Sequence, residues 1–462
     1  MSLTGARVRA VLAVSTAVCS ALALSAAGVF FYGYEHVNHK ITTFSTAGIA
    51  TSRPPAPTPA APGAQAPLNI LLIGSDSRSG GNESLAGGQG VDGARSDTTI
   101  LLHISGDRKH AIGVSIPRDA LVDIPACEAN GQWYQPQYDV MFNSAFAVGN
   151  LPGGNPICTQ NTVESMTGIR IDHTIVMDFD GFAQMATDIG GVDVCVPPVN
   201  DSQLEQDYGV DLTQGMQTLS GKDALEYVRA REGFGDNSDI GRMLRQQAFL
   251  SALLKKLSQT SFYDDPLELY DLASDAAGSM TVDPSLDSVS AMTSLALQFK
   301  DIPLTNIEFV TAPWEYDGDR IDLIQPDTDI LWELVRDDDT LEGQNVSGGT
   351  PSASATTPAT PTVPGTDSTS GTPSSEPYAP QDYVTGTAVT NPSSSATATS
   401  TVSADPSDPY TPPDGYGDSD EYGEYGASPD ASMPITSIPT SITENIRPAD
   451  SDACSDITYG GN

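Results

Sequence analysis

The run Asn-Ile-Leu-Leu-Ile-Gly at 69–74 constrains the fold of this chain more than any other stretch of its sequence. Its apolar residues are continuous rather than alternating, which is typical of a strand with both faces buried. Further strand patterns follow at 98–105 and 111–117, which together predict a hairpin, and at 171–179, 192–196 and 307–310. Helical patterns lie at 159–167, 180–189, 240–257 and 286–299. Strands interleaved with helices predict an α/β domain around a mixed central sheet.

Polar residues at the start of three helical patterns are the predicted N-caps. Thr159 or Asn161 is expected to cap the first helix, Asp180 the second and Asp239 the third, because their side-chain oxygens accept hydrogen bonds from the first free amides. The short run at 227–231, Tyr-Val-Arg-Ala-Arg, is predicted to be a strand.

Residues 68–345 contain the aliphatic clusters and are the predicted folded domain. From 346 to 462, Ser, Thr, Pro, Gly and acidic residues dominate, and Arg447 is the only basic residue. This segment buries too little apolar surface to offset its ordering entropy, so we expect a disordered tail. A short apolar patch at 433–446 is the part of the tail suited to docking on another surface. The Pro/Ala-rich segment within 33–67 predicts a stiff, extended stalk.

An uncharged apolar run at 11–32 follows Arg7 and Arg9. As a helix it would be about 33 Å long, which is enough to cross the hydrocarbon core of a bilayer. The basic flank predicts that residues 1–10 stay in the cytoplasm and that the rest of this single-pass membrane protein lies outside. A cleaved signal peptide is the alternative interpretation, with Ala21-Leu22-Ala23 as the cleavage site.

The charge balance narrows the possible partners. The chain has 60 Asp and Glu residues against 21 Lys and Arg, a formal net charge of −39, and this argues against nucleic-acid binding. Outside a membrane its cysteines could form disulfides. Cys127 and Cys158 flank one loop-rich stretch and are the favoured pair, whereas Cys195 is expected to be a buried thiol. The cysteines show no Cys-x-x-Cys spacing, so the sequence does not indicate a zinc site.

Four arginines lie close together between 227 and 247 in this otherwise acidic chain. On the predicted strand, Arg229 and Arg231 share a face about 7 Å apart, a spacing at which two guanidinium groups can hold adjacent phosphates. Arg242 and Gln246 follow on one face of the next helix, one turn apart. The alternative is that these arginines form ordinary surface salt bridges with the many carboxylates.

Pairs of arginine and aspartate also stand at the ends of predicted strands. They are Asp76 with Arg78, Arg95 with Asp97, and Arg118 with Asp119. Open α/β sheets bind ligands at such edges. Carboxylates suit Mg²⁺ (or Mn²⁺), and arginines suit phosphate, so the combination predicts a phosphoryl-transfer site.

The ordered motifs resemble those of the LytR-CpsA-Psr (LCP) family of envelope proteins. They are "NILLIGSDSR", "ARSDTTILLHI", "VSIPRD", "FNSAFAVGN", "TGIRIDHTIVMDFDGF", "DIGGVDVCV", "LSGKDALEYVRAR" and "DIGRMLRQQ". The resemblance implies a three-layer α-β-α fold around the sheet, with an apolar pocket for a polyprenyl chain. It also implies transfer of a glycopolymer from a polyprenyl-pyrophosphate carrier to a peptidoglycan hydroxyl, which forms a phosphodiester.

The same resemblance implies residue roles. Asp76 and Asp97 would bind the metal, with Asp97 as an alternative base for the acceptor hydroxyl. Arg118, Asp97, Arg229 and Arg231 would be catalytic. The residues implied to bind pyrophosphate are Arg78, Arg95, Arg118, Arg229, Arg231, Arg242 and Gln246.

Two further functions fit the same residues. A hydrolase could cleave the pyrophosphate of the same lipid, or the domain could bind the cell wall without catalysis. The chain also departs from the family pattern before Asn143, where Met141 and Phe142 replace a frequent basic residue, and at Gly149-Asn150, where the pattern has two glycines. These departures concern the acceptor side of the expected site.

Overall fold

The computed structural model describes most of the central part of the chain and a short C-terminal segment. The described residues are 35, 38–59, 62, 64–77, 94–199, 204, 208–234, 237–259, 278–318, 320–343 and 437–451. The predicted anchor at 11–32 lies outside them. Within the described residues, the structure contains no helix with the length and apolar character required to span a bilayer.

An eight-stranded mixed sheet forms the centre of the structure, with the strand order β1-β12-β9-β2-β3-β4-β13-β16. Its strands are β1 (Thr42–Thr43), β2 (Leu68–Ser75), β3 (Ser96–Ile104), β4 (Ala111–Ser115), β9 (His173–Met177), β12 (Met280–Val282), β13 (Ile307–Thr311) and β16 (Arg447–Pro448). β2 pairs with β3 antiparallel and with β9 parallel, so the run at 69–74 is a central strand, as its sequence predicts. The predicted hairpin at 98–117 is confirmed by the antiparallel pairing of β3 with β4.

Other strands in the described part of the chain form two-stranded sheets that are separate from the main sheet. They are β5 (Leu121–Ile124) with β8 (Gln137–Met141), β6 (Cys127–Ala129) with β7 (Gln132–Tyr134), β10 (Val192–Val196) with β11 (Gly215–Leu219), and β14 (Trp314–Asp317) with β15 (Arg320–Leu323). The first two pairs lie between residues 121 and 141, where the sequence shows no strand pattern. The expected Cys127–Cys158 disulfide is confirmed. Cys195, expected to be a thiol, is instead disulfide-bonded.

Helices cover both faces of the sheet. They are α1 (Ser144–Ala147), α2 (Pro156–Thr167), α3 (Phe179–Asp188), α4 (Gly221–Arg229), α5 (Asp239–Gln259), α6 (Val289–Ala296), α7 (Asp327–Arg336) and α8 (Thr440–Thr443). On one face, Leu71 and Leu101 pack with Val163 of α2 and Trp332 of α7. On the other face, α5 packs against the sheet through Leu250 and Leu254. Three layers follow from the alternation of side chains along each strand.

All three predicted N-caps are wrong. Ser238, not Asp239, caps α5, because its hydroxyl accepts a hydrogen bond from the Gly241 amide. Asn155, not Thr159 or Asn161, caps α2, because its side chain accepts a hydrogen bond from the Cys158 amide at 2.9 Å. Asp178, not Asp180, caps α3 by accepting from the Gly181 amide. The Pro156 that follows Asn155 is a favoured first helical residue, so the sequence did contain the better signal.

The predicted strand at 227–231 is also wrong. These residues include the last turn of α4, which ends at Arg229, and Arg231 follows outside it. The helix buries Ala224, Leu225 and Tyr227, so its apolar face runs further back along the chain than the five-residue window showed. The geometry expected of two arginines on one strand face therefore does not occur.

The described part of the predicted stalk is folded against the domain. Thr42 and Thr43 pair with β12, and Asn161 exchanges hydrogen bonds with the backbone of Gly48 and Ala50. Arg53 Nε lies 2.9 Å from an oxygen of the buried Glu164. Side chains of the domain supply partners for this backbone, which a Pro/Ala-rich composition does not reveal.

The described part of the predicted disordered tail, 437–451, is folded as well. Its strand β16 extends the main sheet by pairing antiparallel with β13. Ile442 of α8 and Ala449 are fully buried in the cores on the two faces of the sheet. The docking patch predicted at 433–446 thus reaches the edge of the domain, which continues beyond the predicted end at 345.

Replacing Ile442 with alanine should destabilise the whole domain. The side chain has no exposed surface, and deleting comparable buried groups costs about 2–5 kcal/mol through lost burial and the cavity left behind. The exposed neighbour in the control, Thr443→Ala, should change the free energy of unfolding by less than about 0.5 kcal/mol. Urea denaturation of both variants measures the difference. Equal stability of the two would contradict the docking of this segment.

Candidate active site: an apolar cavity with a charged mouth

A cavity of about 230 Å³ lies between the sheet and the helices α3, α4 and α5. The strands contribute side chains from one face, because residues at paired positions of β2, β3 and β9 point the same way. Its lining is almost wholly apolar and includes Leu72, Ile100, Ile175, Met177, Phe182, Met185, Leu225, Val228, Phe249, Leu250, Leu253 and Met280. Such a space suits a hydrocarbon chain.

Charged and polar side chains also line this cavity. They are Asp97, Arg229, Arg242 and Gln246, contributed by β3, α4 and α5. All four belong to the predicted site. Apolar walls joined to a few convergent polar groups are typical of a ligand-binding site.

Arg242 is held in place by Asp239 one helical turn before it. Its Nη2 lies 2.9 Å from Asp239 Oδ1 and 3.0 Å from Oδ2, and its side chain is only 2% exposed. Arg242 Nη1 also lies 3.9 Å from Asp97 Oδ1. The Ser238 hydroxyl accepts from the Gly241 amide at the start of α5, which fixes this first turn.

Arg118 joins the same group from the loop after β4. It donates to Asp97 through Nη1, and its Nε lies 3.1 Å from Asp239 Oδ1 and 3.5 Å from Asp119 Oδ2. The structure therefore assembles four residues into one charge network, defined here as Asp97, Arg118, Asp239 and Arg242. The four residues come from three separate stretches of the sequence, at 97, 118 and 239–242, so the fold creates the cluster.

The network has unused hydrogen-bonding capacity. Within the described residues, Nε of Arg118 and Nε of Arg242 are both buried and form no hydrogen bond, although Arg118 Nε lies within ion-pair distance of Asp239 and Asp119. Burial acts to lower the pKa of Arg118, but Asp97, Asp239 and Asp119 outweigh it and raise the pKa. Burial lowers the pKa of Arg242, with Asp239 opposing. Both guanidinium groups stay protonated, since arginine does not deprotonate in proteins.

Arg229 reaches the cavity from the end of α4. Its guanidinium carbon lies 4.5 Å from the centroid of the Phe179 ring, and Nη1 lies 3.4 Å from Oε1 of the buried Glu226. Burial raises the pKa of Glu226, and the charge of Arg229 opposes that rise. Stacking and ion pairing together orient the guanidinium at the cavity.

Two further residues of α5 tie it to α4. Gln246 Nε2 donates to the Val228 carbonyl at 3.0 Å, and Arg245 donates to the carbonyls of Tyr227 and Ala230. Arg245 is buried, with its guanidinium 4.4 Å from the Phe234 centroid. It satisfies carbonyls at the end of α4, which is a structural role that accounts for its place in an arginine-rich segment.

The remaining predicted site residues lie differently. Arg95 is exposed and contacts Asp76 through its backbone, whose amide donates to Asp76 Oδ1 at 2.5 Å. Arg231 is exposed and is not among the residues that line the cavity. Arg78 lies outside the described residues. In the part of the chain that the structure describes, no group of three or more His, Cys, Asp or Glu side chains is arranged to hold a metal ion.

Sequence reasoning missed Asp239 and Phe179 as parts of the site. Asp239 was interpreted only as a helix cap, although its spacing of three residues before Arg242 allows the observed ion pair. Phe179 was assigned to a strand, whereas it begins α3 and presents its ring to Arg229. No local pattern identifies that contact, because the partners lie 50 residues apart.

Comparison with known proteins supports a specific family. The model of the LytR_cpsA_psr family matches residues 35–335. The "Probable cell wall biosynthesis protein LcpB" of Corynebacterium glutamicum is 34% identical over 255 residues, which cover 54% of this chain and 56% of that protein. The "Polyisoprenyl-teichoic acid--peptidoglycan teichoic acid transferase TagT" of Bacillus subtilis is 34% identical over 204 residues, covering 43% of this chain and 56% of that protein.

The chain spans about half the length of the curated relatives it matches. Among solved structures, "LytR-CPS2A-psr family protein YwtF (TagT) with bound octaprenyl pyrophosphate lipid" is 22% identical with a TM-score of 0.43. That match covers 64% of this chain and 98% of the other.

Removing Arg229 should make stability more dependent on pH. Without this cation, burial raises the pKa of Glu226 further above its unfolded value of 4.5. The folded state then prefers the protonated carboxyl, so stability is lost as the pH rises from the unfolded pKa through the folded pKa. We expect Arg229→Ala to lose more unfolding free energy, relative to wild type, at about pH 8 than at about pH 5. Each tenfold rise in proton affinity corresponds to about 1.4 kcal/mol.

The double variant Glu226→Gln/Arg229→Ala serves as the control. It has no carboxyl at 226, so its loss relative to Glu226→Gln should be the same at both pH values. Urea denaturation gives all four free energies at each pH. A pH-independent loss in Arg229→Ala alone would show that Arg229 does not balance the charge of Glu226.

Proposed function

This chain belongs to the LytR-CpsA-Psr family, and we propose that it transfers a glycopolymer from a polyprenyl-pyrophosphate carrier to a peptidoglycan hydroxyl. The product is a phosphodiester between polymer and wall. Curated relatives carry names that describe the transfer of teichoic acid from a polyisoprenyl carrier to peptidoglycan. The proposal applies to any glycopolymer that is attached to such a carrier.

The observation that carries the proposal is the union of an apolar cavity with buried guanidinium groups. Arg242 and Arg229 line the same cavity as Leu72, Phe249 and Leu253. A polyprenyl pyrophosphate has the matching shape, with a long hydrocarbon chain ending in two adjacent anionic groups. A surface salt-bridge network requires no such apolar chamber beside it.

The charged residues at the cavity, and Arg118 beside them in the charge network, have separable roles. Arg242 and Arg118 carry Nε atoms that form no hydrogen bond within the described residues, and these can donate to phosphate oxygens. Arg229 adds a third cation, and Gln246 holds the end of α4 in position through Val228. Arg78, Arg95 and Arg231 remain predicted ligands of the pyrophosphate or the polymer, the last of them also predicted to be catalytic.

The reaction forms one phosphorus–oxygen bond and breaks another. The acceptor oxygen attacks the phosphorus that carries the sugar, and the bridging oxygen leaves with its electron pair as polyprenyl phosphate. The arginines stabilise the charge that develops on the phosphate oxygens and on the leaving group. Asp97 lines the cavity and is the alternative acceptor for the hydroxyl proton, a role that competes with metal binding because a carboxylate that holds a metal is a poor base.

The carboxylates are compatible with a divalent cation. Asp97 engages Arg118 through Oδ1, and Asp76 accepts the Arg95 amide through its own Oδ1. Mg²⁺ characteristically uses only one or two protein carboxylates and takes its other ligands from water and substrate phosphates. Asp97 with Asp76 would hold Mg²⁺ or Mn²⁺, which would neutralise phosphate charge when bound.

The predicted anchor at 11–32 completes the proposal. It would tether the domain to the outer face of the cell membrane, within reach of a carrier embedded in the same bilayer. The hydrolase alternative uses the same cavity and the same cations. Chemical identification of the product separates the two, because a hydrolase releases free polymer phosphate whereas a transferase leaves the polymer on peptidoglycan.

Replacing Arg118 with lysine should slow transfer by about 10²–10³-fold. The charge remains, but the planar fork that contacts Asp97 and Asp239 and that presents Nε is lost. The exposed Arg320 provides the matched control, Arg320→Lys, which should transfer at the wild-type rate. The assay follows polymer attached to insoluble peptidoglycan and polyprenyl phosphate released. A wild-type rate in Arg118→Lys would remove this network from the reaction.

Filling the cavity should weaken lipid binding without affecting the headgroup. Leu253→Trp places a larger side chain in the apolar lining. Displacing two buried methylene groups of the ligand costs about 1.6 kcal/mol, so affinity for polyprenyl pyrophosphate should fall by more than about tenfold. Affinity for inorganic pyrophosphate should be unchanged.

The exposed Leu297 gives the control Leu297→Trp, in which both affinities should match wild type. Calorimetric titration measures each affinity. Unaltered lipid affinity in Leu253→Trp would mean that the hydrocarbon chain binds elsewhere.

A further inference from the structure

Arg447 is a buried cation that the proposed function does not use. It is the only basic residue between 346 and 462, and it lies on β16, the strand that the C-terminal segment adds to the sheet. The residue is only 8% exposed. Among the described residues, its side chain forms no ion pair or hydrogen bond, and Nε is fully buried.

A buried guanidinium without a partner is costly. Charged groups taken out of water are normally paired, because the lost hydration amounts to several kcal/mol per ion. Aspartates and glutamates outnumber lysines and arginines by 60 to 21 in this chain, yet within the described segments no carboxylate forms an ion pair with Arg447. A bound anion would provide the partner that this guanidinium needs.

Arg447 lines a second cavity, of about 200 Å³, between α5, the β10–β11 pair and β16. The polar groups around it are mostly donors, namely Lys255, Lys256 and Ser451. The Ser451 hydroxyl is also buried without a hydrogen-bond partner in the described part of the chain. Two independent unpartnered donors therefore belong to one small cavity.

The two cavities lie on different sides of the same helix. The apolar cavity is lined by Gln246, Phe249, Leu250 and Leu253, and the second cavity by Ala248, Ser251, Ala252 and Lys255. The two sets are offset by two residues, or about 200° around the helix. The sets share no residue, so a ligand in the second cavity is distinct from the lipid headgroup.

Two features of the second cavity weaken the case for a bound anion, but neither accounts for the buried Arg447. Lys255 and Lys256 are in the last turns of α5, where lysines are favourable without any ligand. Asp193 is on the lining, but it is exposed and accepts a hydrogen bond from the Thr218 hydroxyl, so solvent screens its charge. Neither feature explains why the donors of Arg447 and Ser451 are buried without a hydrogen-bond partner in the described part of the chain.

We propose that this second cavity binds a phosphate group, held by Arg447, Lys255 and the Ser451 hydroxyl. Guanidinium, ammonium and hydroxyl donors around one cavity match a tetrahedral oxyanion with acceptors on several sides. The group is either free phosphate or a phosphodiester within a polyanionic glycan. Binding joins β16 to α5, so the ligand would also fasten the C-terminal segment to the domain.

The test titrates the full-length protein with inorganic phosphate and, separately, with dimethyl phosphate, by calorimetry at constant ionic strength. Lys255→Ala removes an exposed side chain and should weaken phosphate binding about tenfold. Arg447→Gln should weaken it about a hundredfold or more. The matched control Lys109→Ala removes an exposed lysine outside this cavity and should bind as wild type.

Arg118→Lys should retain this binding, so failure of the proposed transfer reaction and failure of this site are distinguishable. Binding of dimethyl phosphate as well extends the ligand to phosphodiesters, whereas binding of inorganic phosphate alone limits it to the free ion. The proposal is overturned if the wild type does not bind phosphate or if Lys255→Ala binds it as the wild type does. That second comparison holds even where Arg447→Gln fails to fold.

Discussion

The pairing of Arg242 with Asp239 is the interaction on which the site depends. An arginine side chain that is 2% exposed has lost most of its hydration, and Asp239 offsets that cost with a carboxylate from the same helical turn. Asp239 also faces Arg118, and Arg118 faces Asp97, so one buried cation fixes three elements relative to one another. The start of α5, the loop after β4 and the start of β3 thereby converge at the cavity. The ion pairs among these residues therefore hold the three elements in fixed relative positions.

The same compensation explains why the network can still receive an anion. Each guanidinium is ion-paired with a carboxylate at short distance, yet neither Nε atom forms a hydrogen bond within the described residues. A pyrophosphate would add negative charge where Asp97, Asp119 and Asp239 already stand, which makes a divalent cation or Arg229 a useful complement. Preorganised donors of this kind stabilise developing charge without reorganising during the reaction.

The sequence predicted the central strand, the β3–β4 hairpin, the disulfide between Cys127 and Cys158 and most residues of the charged mouth. These features depend on local patterns or on ordered motifs, which a single sequence displays directly. The segment at 227–231 was misassigned because Tyr and Val favour strands, while the apolar face that makes α4 a helix begins earlier, at Ala224 and Leu225. The contact between Phe179 and Arg229 arises from tertiary packing and has no local signature.

The two predicted low-complexity segments show where composition is least informative. An average over 346–462 hides a short segment whose Ile442 is fully buried and whose backbone extends the sheet. An average over 33–67 hides Arg53, which meets the buried Glu164. Few apolar residues suffice when a folded domain supplies the partner surface, because the segment then needs no core of its own.

Helix α5 lines both cavities, one on each side of the helix. One side lines the apolar cavity and begins with Arg242, whereas the other faces β16 and the unpartnered Arg447. A ligand that fastened β16 to α5 would act on the element that also positions Arg242. Coupling between the two cavities requires that one helix position respond to both ligands, since a shared element without differential binding transmits nothing. Both cavities are lined by residues of α5, so any axial shift or rotation of this helix moves the walls of both.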